Sequence, residues 1–235
     1  MAKTTCHSRR SARQPSSAGP RPGQIEEKSD SRARIVIVIL AGGLSSRMGR
    51  DKSRLKWKGQ TLLGHMRSLA METQLPVRVI RRDRVPRCGP LGGIYTAFLR
   101  WRAHGFLFLP CDMPALTPKL LNAIIKSSDA RMEAIFTETD HGPGFPVFLP
   151  RGCQQQLETQ INQEEFSLQR LASALSAKSF PLRGNQRQQG TNVNTPEEWR
   201  RFLNKLKSKR RLQASPSRPR KSRRSTRSKT VKVSL

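Results

Sequence analysis

The sequence predicts an α/β fold in which helices cover both faces of a mostly parallel sheet. Apolar runs of strand length, clearest at residues 35–40 and 106–109, alternate along the chain with segments of helical spacing. Strands that alternate with helices are typical of a parallel sheet buried on both sides. Ligands of such sheets bind beyond the carboxyl ends of the strands. We therefore expect the loops after Leu40, Ile80 and Leu109 to meet at one site.

The elements follow in order from these periodicities. After the first strand, Thr61 precedes a segment that places Leu62, Met66 and Leu69 on one helical face. Thr117 followed by Pro118 is typical of a helix start. Further strands are predicted at residues 77–80, 134–136 and 146–149. Further helices are predicted at residues 94–101, 154–161, 168–175 and 196–206.

Charge divides the chain into a central domain and two basic ends. Residues 1–34 carry 8 Lys and Arg against 3 acids, residues 35–204 carry 24 against 13, and residues 205–235 carry 13 against none. Segments with so few apolar residues cannot offset the entropy of ordering. We predict a disordered N-terminal extension at 1–33, one domain at 34–206 and a disordered basic tail at 207–235.

Cysteine spacing and hydropathy bear on the compartment. Cys6, Cys88, Cys111 and Cys153 form no Cys-x-x-Cys pair, so neither a zinc site nor a disulfide framework is indicated. The longest apolar run is far shorter than the roughly 20 residues that span a bilayer. We expect a cytoplasmic protein that does not bind membranes; an Arg- and Ser-rich transit peptide is the alternative for the first residues.

A glycine-rich loop, residues 41–52, follows the first strand. Gly42, Gly43 and Gly49 let the backbone approach a ligand closely, and Arg47 and Lys52 add two cations. The spacing matches neither the Walker loop nor the dinucleotide fingerprint. Glycines alone would indicate an ordinary strand-to-helix turn, but the neighbouring cations favour a loop that holds the phosphates of a nucleoside triphosphate.

Asp112 follows the strand at residues 106–109 and has the chemistry of a magnesium ligand. Magnesium is usually held by one or two carboxylates together with substrate phosphates. Arg47 and Lys52 would neutralise phosphate charge during the reaction. This combination predicts metal-assisted phosphoryl or nucleotidyl transfer. The alternative is that Asp112 only braces the next turn.

Several ordered motifs carry a family resemblance. They are Leu-Ala-Gly-Gly at 40–43, Arg-Met-Gly at 47–49, Asp-Lys at 51–52, Gly-Pro-Leu-Gly-Gly at 89–93, Leu-Pro-Cys-Asp-Met-Pro at 109–114 and Asn-Val-Asn-Thr-Pro-Glu-Glu at 192–198. In these motifs residues 34–204 resemble the molybdenum cofactor guanylyltransferases. The resemblance implies a three-layer Rossmann-like nucleotidyltransferase fold. It also implies transfer of GMP from GTP to molybdopterin with release of pyrophosphate.

The resemblance further implies roles for individual residues. Asp112 matches the family's magnesium ligand and Lys52 its triphosphate-binding lysine, and with Arg47 they form the expected catalytic set. The expected nucleotide-binding residues are Leu40, Ala41, Gly42, Gly43, Lys52, Asp83, Gly89, Pro90, Leu91, Asn192 and Asn194. Two alternatives remain open: Asp83 could form a surface ion pair with a neighbouring arginine, and the two asparagines could be turn residues before a helix.

The chain also departs from the family's pattern. Only residues 73–76 separate the first helix from the next strand, so about twenty residues are missing, including an asparagine that would help to bind guanine. The second glycine of Ala41-Gly42-Gly43 favours GTP, since similar cytidylyltransferases tend to have Ala-Ala-Gly. The alternatives are a nucleotidyltransferase for another base, such as CTP, or for another phosphorylated acceptor.

A different class of function is suggested by the basic tail. Dense positive charge binds nucleic acid without sequence preference, although the absence of aromatic residues from Lys205 onward gives no support to base stacking. A nucleic-acid-binding protein with an inactive nucleotidyltransferase fold is therefore the remaining alternative. For the enzyme we expect GTP and a molybdopterin-type molecule as partners, and a monomer or weak oligomer.

Overall fold

The computed structural model describes residues 35–42, 55–57, 59–128 and 132–214. Its strands are β1 (Ile35–Leu40), β2 (Lys56–Trp57), β3 (Gln60–Thr61), β4 (Val77–Ile80), β5 (Gly105–Pro110), β6 (Ile135–Thr139), β7 (Gly142–Pro150) and β8 (Lys178–Pro181). Its α-helices are α1 (Leu62–Met71), α2 (Gly89–Arg100), α3 (Pro118–Ser128), α4 (Gln154–Asn162), α5 (Leu168–Ala174) and α6 (Pro196–Ala214). A 3-10 helix, Gly184–Gly190, lies between β8 and α6.

Six of the strands form one sheet in the order β4-β1-β5-β7-β6-β8. Strand β1 is parallel to both β4 and β5, and β6 is parallel to β8. Strand β7 is antiparallel to its neighbours β5 and β6, so it is the one strand of this sheet that runs against the others. The predicted mostly parallel sheet is confirmed.

Helices cover this sheet on both faces. Consecutive residues of β1, from Ile37 to Ile39, are fully buried, which requires cover on each side because adjacent side chains of a strand point to opposite faces. Helices α1 and α2 both contact β1; α1 also packs on α3, whereas α2 packs on α4, which contacts α5. The protein therefore has the predicted three-layer α/β architecture.

One helix starts earlier than its pattern predicts. Helix α2 begins at Gly89, five residues before the predicted start at Ile94. The prediction was late because the first residues of the helix are Gly-Pro-Leu-Gly-Gly. Glycine has poor helix propensity, so this segment resembles a turn when only local preferences are considered. Pro90 is tolerated in the first turn, where its missing N–H group has no helical partner to lose.

Several other elements differ from the prediction. Strand β8 was not predicted, and β7 begins at Gly142 instead of residue 146. The β2-β3 hairpin was not predicted, since each strand has only two residues. Helix α6 continues to Ala214, inside the segment for which composition predicts disorder, because Lys, Arg, Leu, Gln and Ala are strong helix formers. Throughout the described part of the chain, no helix combines the length and apolar character needed to cross a bilayer.

Candidate active site at the carboxyl ends of the central strands

Three loops leave the sheet at the same level. The register pairs Leu40, the last residue of β1, with Ile80 at the end of β4 and with Pro110 at the end of β5. Backbone hydrogen bonds continue past these ends: the Ala41 N–H donates to the Ile80 carbonyl at 2.8 Å, and the Cys111 N–H donates to the Leu40 carbonyl at 3.0 Å. The loops after β1, β4 and β5 are therefore joined directly, as the sequence predicts.

The first residues of the glycine-rich loop lie against the loop after β4. A Cβ atom at Gly42 would come within 2.9 Å of the Arg81 carbonyl oxygen, so glycine is needed for this close approach. The other predicted phosphate-binding residues of this loop, Gly43, Arg47 and Lys52, lie outside the described residues. Their roles stay predictions.

Asp83 belongs to the loop after β4 and lies against the first turns of α2. Its carboxylate faces Gly92 and Gly93; a Cβ atom at Gly93 would be 3.3 Å from Asp83 Oδ1 and 2.9 Å from Leu40 Cδ2. The small residues of α2 thus let Asp83 and the end of β1 pack against the helix. Burial raises the pKa of Asp83 above its ordinary value. Its half-buried position agrees with a group that contacts a ligand.

The alternative of a surface ion pair for Asp83 is not what the structure shows. Within the ranges that are described, Asp83 forms no ion pair with Arg81, Arg82 or Arg84. The following residue is instead fixed to α2, because the Arg84 N–H donates to Thr96 Oγ1 at 2.8 Å and that hydroxyl donates to the Gly92 carbonyl at 2.7 Å.

Asp112 lies in a turn, residues 111–115, that we call the Asp112 turn. One carboxylate oxygen, Oδ1, is buried. The turn is held from two other elements. The Val193 N–H donates to the Asp112 carbonyl at 2.8 Å, and His65 Nε2 of α1 donates to the Pro114 carbonyl at 3.1 Å. Asp112 is thus fixed at the end of β5 by contacts that come from distant parts of the chain.

The segment at residues 191–195, called the Asn loop below, lies between the 3-10 helix and α6. Val193 is buried, Asn192 is exposed and Asn194 is half-buried. The Val193 backbone brings both asparagines beside Asp112. Thr195 caps α6. The asparagines therefore do precede a helix start, as the alternative interpretation predicted. The same turn also brings Asn194 to the site.

One cleft collects nearly all of the predicted site residues that the structure describes. Those that line it are Leu40, Ala41, Gly42, Asp83, Gly89, Pro90, Asp112, Asn192 and Asn194. The exception is Leu91, which is fully buried in the core and does not line the cleft. Its side chain packs the first turn of α2, so only its backbone could serve a ligand.

Among the residues of the cleft that sequence reasoning did not assign, two contact its predicted parts. Glu198 and His65 both line it, yet neither received a role from the motifs. The spacing Thr195-x-x-Glu198 is a capping-box pattern that could have revealed the first. No local signal could have revealed His65, because its bond to Pro114 joins residues 49 positions apart.

The side chains near Asp112 bear on which metal ion the cleft could hold. In the portion of the chain that is described, no three His, Cys, Asp or Glu side chains group as a metal site would require. One carboxylate with neighbouring amides suits a cation that takes most of its other ligands from phosphates and water, as magnesium does. It does not suit a structural zinc site.

Comparison with known proteins identifies the family. The model of the MobA-like NTP transferase domain matches residues 37–80 and 67–179, which together cover more than half of the chain. The chain belongs to this family. A molybdenum cofactor guanylyltransferase of Xanthomonas euvesicatoria is 30% identical over 178 residues, covering 71% of this chain and 93% of that protein. One of Pseudomonas syringae is 28% identical over 179 residues, covering 68% and 89%.

Solved structures agree on the fold of this family member. Molybdopterin-guanine dinucleotide biosynthesis protein A of Archaeoglobus fulgidus superposes with a TM-score of 0.59 at 18% identity, covering 74% of this chain and 99% of that one. The 4-diphosphocytidyl-2C-methyl-D-erythritol synthase of Anaerococcus prevotii gives 0.58 at 11% identity, covering 75% and 99%. By family the protein is a nucleotidyltransferase.

Proposed function

We propose that this nucleotidyltransferase transfers GMP from GTP to a molybdopterin-type acceptor, releases pyrophosphate and requires Mg²⁺. The observation that carries the proposal is the convergence of the β1, β4 and β5 loops and the Asn loop on one cleft, joined by backbone hydrogen bonds. Support for guanine and for the acceptor comes from the relatives, which are named molybdenum cofactor guanylyltransferases.

In the proposed reaction an acceptor phosphate oxygen attacks the α-phosphorus of GTP. The new P–O bond forms as the bond to the β-phosphate oxygen breaks, and pyrophosphate leaves with the electron pair. The acceptor phosphate is already anionic near neutral pH, so positioning and charge neutralisation can carry most of the rate. Arg47 and Lys52 are assigned to the triphosphate, and the described residues 40–42 to the nucleotide at the end of β1.

Magnesium would be held by Asp112, with Asn194 as a neighbouring polar group. Asp112 lines the cleft with one carboxylate oxygen buried, and an oxygen ligand of this kind fits the hard cation. When bound, the ion would neutralise phosphate charge as it develops. The protein's own part is to place this carboxylate relative to the phosphates through the hydrogen bonds of the Asp112 turn.

Pyrophosphate release tests the proposal directly. With GTP, Mg²⁺ and molybdopterin, wild-type protein should release pyrophosphate, and Asp112→Ala and Lys52→Ala should each lower the rate by at least about 100-fold. His104→Ala is the matched control, since His104 is exposed outside the cleft. Unchanged turnover in both site variants would refute the assignment.

Guanine selection is the finer part of the proposal. The family resemblance implies that an asparagine that would help to bind guanine is missing at the short connection between α1 and β4, residues 72–76. Calorimetric titration with GTP, CTP and ATP in the presence of Mg²⁺ should show the tightest binding for GTP. A preference for CTP would replace the guanylyl assignment with transfer of another nucleotide.

A second proposed function is non-specific nucleic-acid binding by the basic tail. Arg201 and Lys205 line the cleft on the same helix that leads into the tail, and residues 215–235 add eight Lys and Arg with no acid. Polyphosphate backbones bind such segments through counterion release, which makes the affinity steeply dependent on salt.

Truncation after Ala214 separates the two functions, since it retains α6. Fluorescence anisotropy with single-stranded RNA should show binding by the full chain, a steep salt dependence, and a marked loss on truncation. A control chain of full length with these eight cations replaced by glutamine should behave like the truncated protein. If neither form transfers nucleotide while only the full chain binds RNA, the inactive binding protein is the better description.

A further inference from the structure

The start of α6 is joined to the Asp112 turn by a continuous series of hydrogen bonds. Thr195 and Glu198 form a capping box: the Glu198 N–H donates to Thr195 Oγ1 at 3.1 Å, and the Thr195 N–H donates to Glu198 Oε2 at 3.2 Å. The same carboxylate oxygen also accepts from the Asn194 N–H at 2.5 Å. The carboxylate therefore reaches beyond the helix cap and holds the Asn loop itself.

The Asn loop carries this contact onward to Asp112. Val193, the residue before Asn194, donates its N–H to the Asp112 carbonyl at 2.8 Å and is buried. Hydrogen bonds that involve a charged group are shorter and stronger than neutral ones, so Glu198 provides the firmest contact in this series. Glu198, Asn194 and Asp112 all line the same cleft.

We infer that Glu198 is a positioning residue: by holding the backbone of Asn194, it sets through Val193 where the Asp112 turn places its carboxylate. The inference rests on the proposed function where it concerns metal and phosphates, but the mechanical coupling between Glu198 and Asp112 stands independently of the substrate. Glu198 acts through the backbone, because its carboxylate accepts hydrogen bonds from the Asn194 and Thr195 amides.

The preceding residue offers a matched control. Glu197 lies in the same first turn of α6 and carries the same charge, but its carboxylate pairs with Arg200 at 3.1 Å on the exposed surface. The negative charge of each acid is favourable at this helix terminus. A difference between Glu197 and Glu198 variants therefore reports the contact with the Asn loop.

Hydrogen exchange of the full chain measures the coupling without any reaction. Glu198→Ala should raise amide exchange in peptides covering both the Asn loop and the Asp112 turn, and the Val193 amide should show the largest increase. Glu198→Gln should restore much of the protection, because its amide oxygen can accept from both N–H groups although it lacks the charge. Glu198→Asp should not, since its side chain is too short to reach Asn194.

A residue that only caps α6 would loosen the start of that helix and leave the Asp112 turn protected. Unchanged exchange in the Asp112 turn of Glu198→Ala, or an equal increase in Glu197→Ala, would overturn the inference. If Glu198→Ala does not fold, the comparison of Glu198→Asp with Glu198→Gln decides between the two outcomes in the same way.

Pyrophosphate release then connects the coupling to the proposed chemistry. Glu198→Ala should lower kcat by about 10-fold and raise the Mg²⁺ concentration for half-maximal rate, with a smaller effect on the KM for GTP. Glu197→Ala should stay within about 2-fold of wild type. A wild-type protein that transfers no GMP would refute the proposed function, while the exchange data would still decide the role of Glu198.

Discussion

The two sides of the cleft are held by different physical means. On the side of β5, the Asp112 turn donates a hydrogen bond to β1 and accepts hydrogen bonds from α1 and the Asn loop. On the side of β4, the Asp83 side chain is placed by close packing against Gly92 and Gly93, and the hydrogen bond that holds this loop to α2 is made by the next residue, Arg84. Hydrogen bonds are directional and fix orientation, whereas packing of small residues fixes only distance. The Asp112 turn is therefore oriented by hydrogen bonds, whereas the placement of the Asp83 side chain rests mainly on packing.

The sheet order gives this contrast a structural origin. Among the described strands, β4 pairs only with β1, and it follows α1 after the short connection 72–76. Strand β5 lies between β1 and β7 inside the sheet. The short connection therefore leads into a strand at the end of the strand order, whereas the Asp112 turn follows an inner strand.

A methyl group at Gly42 should have the largest effect on the β4 side. In Gly42→Ala the Cβ atom would lie 2.9 Å from the backbone oxygen of Arg81, which cannot rotate away. We expect unfolding free energy to fall by about 1–3 kcal/mol and nucleotide affinity to fall as well. Urea denaturation and calorimetric titration measure these two effects.

Gly152→Ala is the control for this prediction. No heavy atom lies within 4 Å of a Cβ atom built at Gly152, so its stability should change by less than about 0.5 kcal/mol. Equal stability of the two variants would show that the loops after β1 and β4 do not constrain each other.

Replacement of Asp83 should separate nucleotide binding from stability. If Asp83 contacts the nucleotide, Asp83→Asn should weaken GTP binding by about 10-fold, because one charged hydrogen-bond partner is lost. The same substitution should raise the free energy of unfolding, because of how Asp83 titrates. Since burial raises the pKa of Asp83, the folded state favours the protonated form, and stability is lost as pH rises through the folded pKa.

The pH dependence of unfolding checks this sign. At pH 7 Asp83→Asn should be slightly more stable than wild type, by less than about 1 kcal/mol because the group is partly exposed. The advantage should shrink as pH falls toward the ordinary value of 3.8. A variant that is less stable at pH 7 and binds GTP normally would indicate a purely structural role for Asp83.

The smallest effect is expected from His65 on the opposite side. His65→Ala removes one of several hydrogen bonds to the Asp112 turn, so pyrophosphate release should slow by about 5-fold with little change in GTP affinity. His65→Gln should recover part of the rate, because its amide can donate to the Pro114 carbonyl. If His65→Ala slowed pyrophosphate release more than Asp83→Asn weakened GTP binding, the expected order of the two sides would be wrong.

Much of this architecture was predictable from local patterns. The apolar runs of β1 and β5, the Thr117 helix cap and the acid at the end of β5 all appear where periodicity and capping place them. The start of α2 was predicted too late, because glycines that disfavour a helix locally are required there by Leu40 and Asp83. The motif at residues 192–198 was recognised, but the part taken by Glu198 was not.

The sequence by itself determined the class of fold and the chemical groups of the site, because strand and helix periods and the residue types of the loops are local properties. Only the tertiary structure decided how these groups are connected. The bonds from Val193 to Asp112 and from His65 to Pro114 join residues far apart in the chain. Such contacts depend on strand order and register, which no single segment encodes.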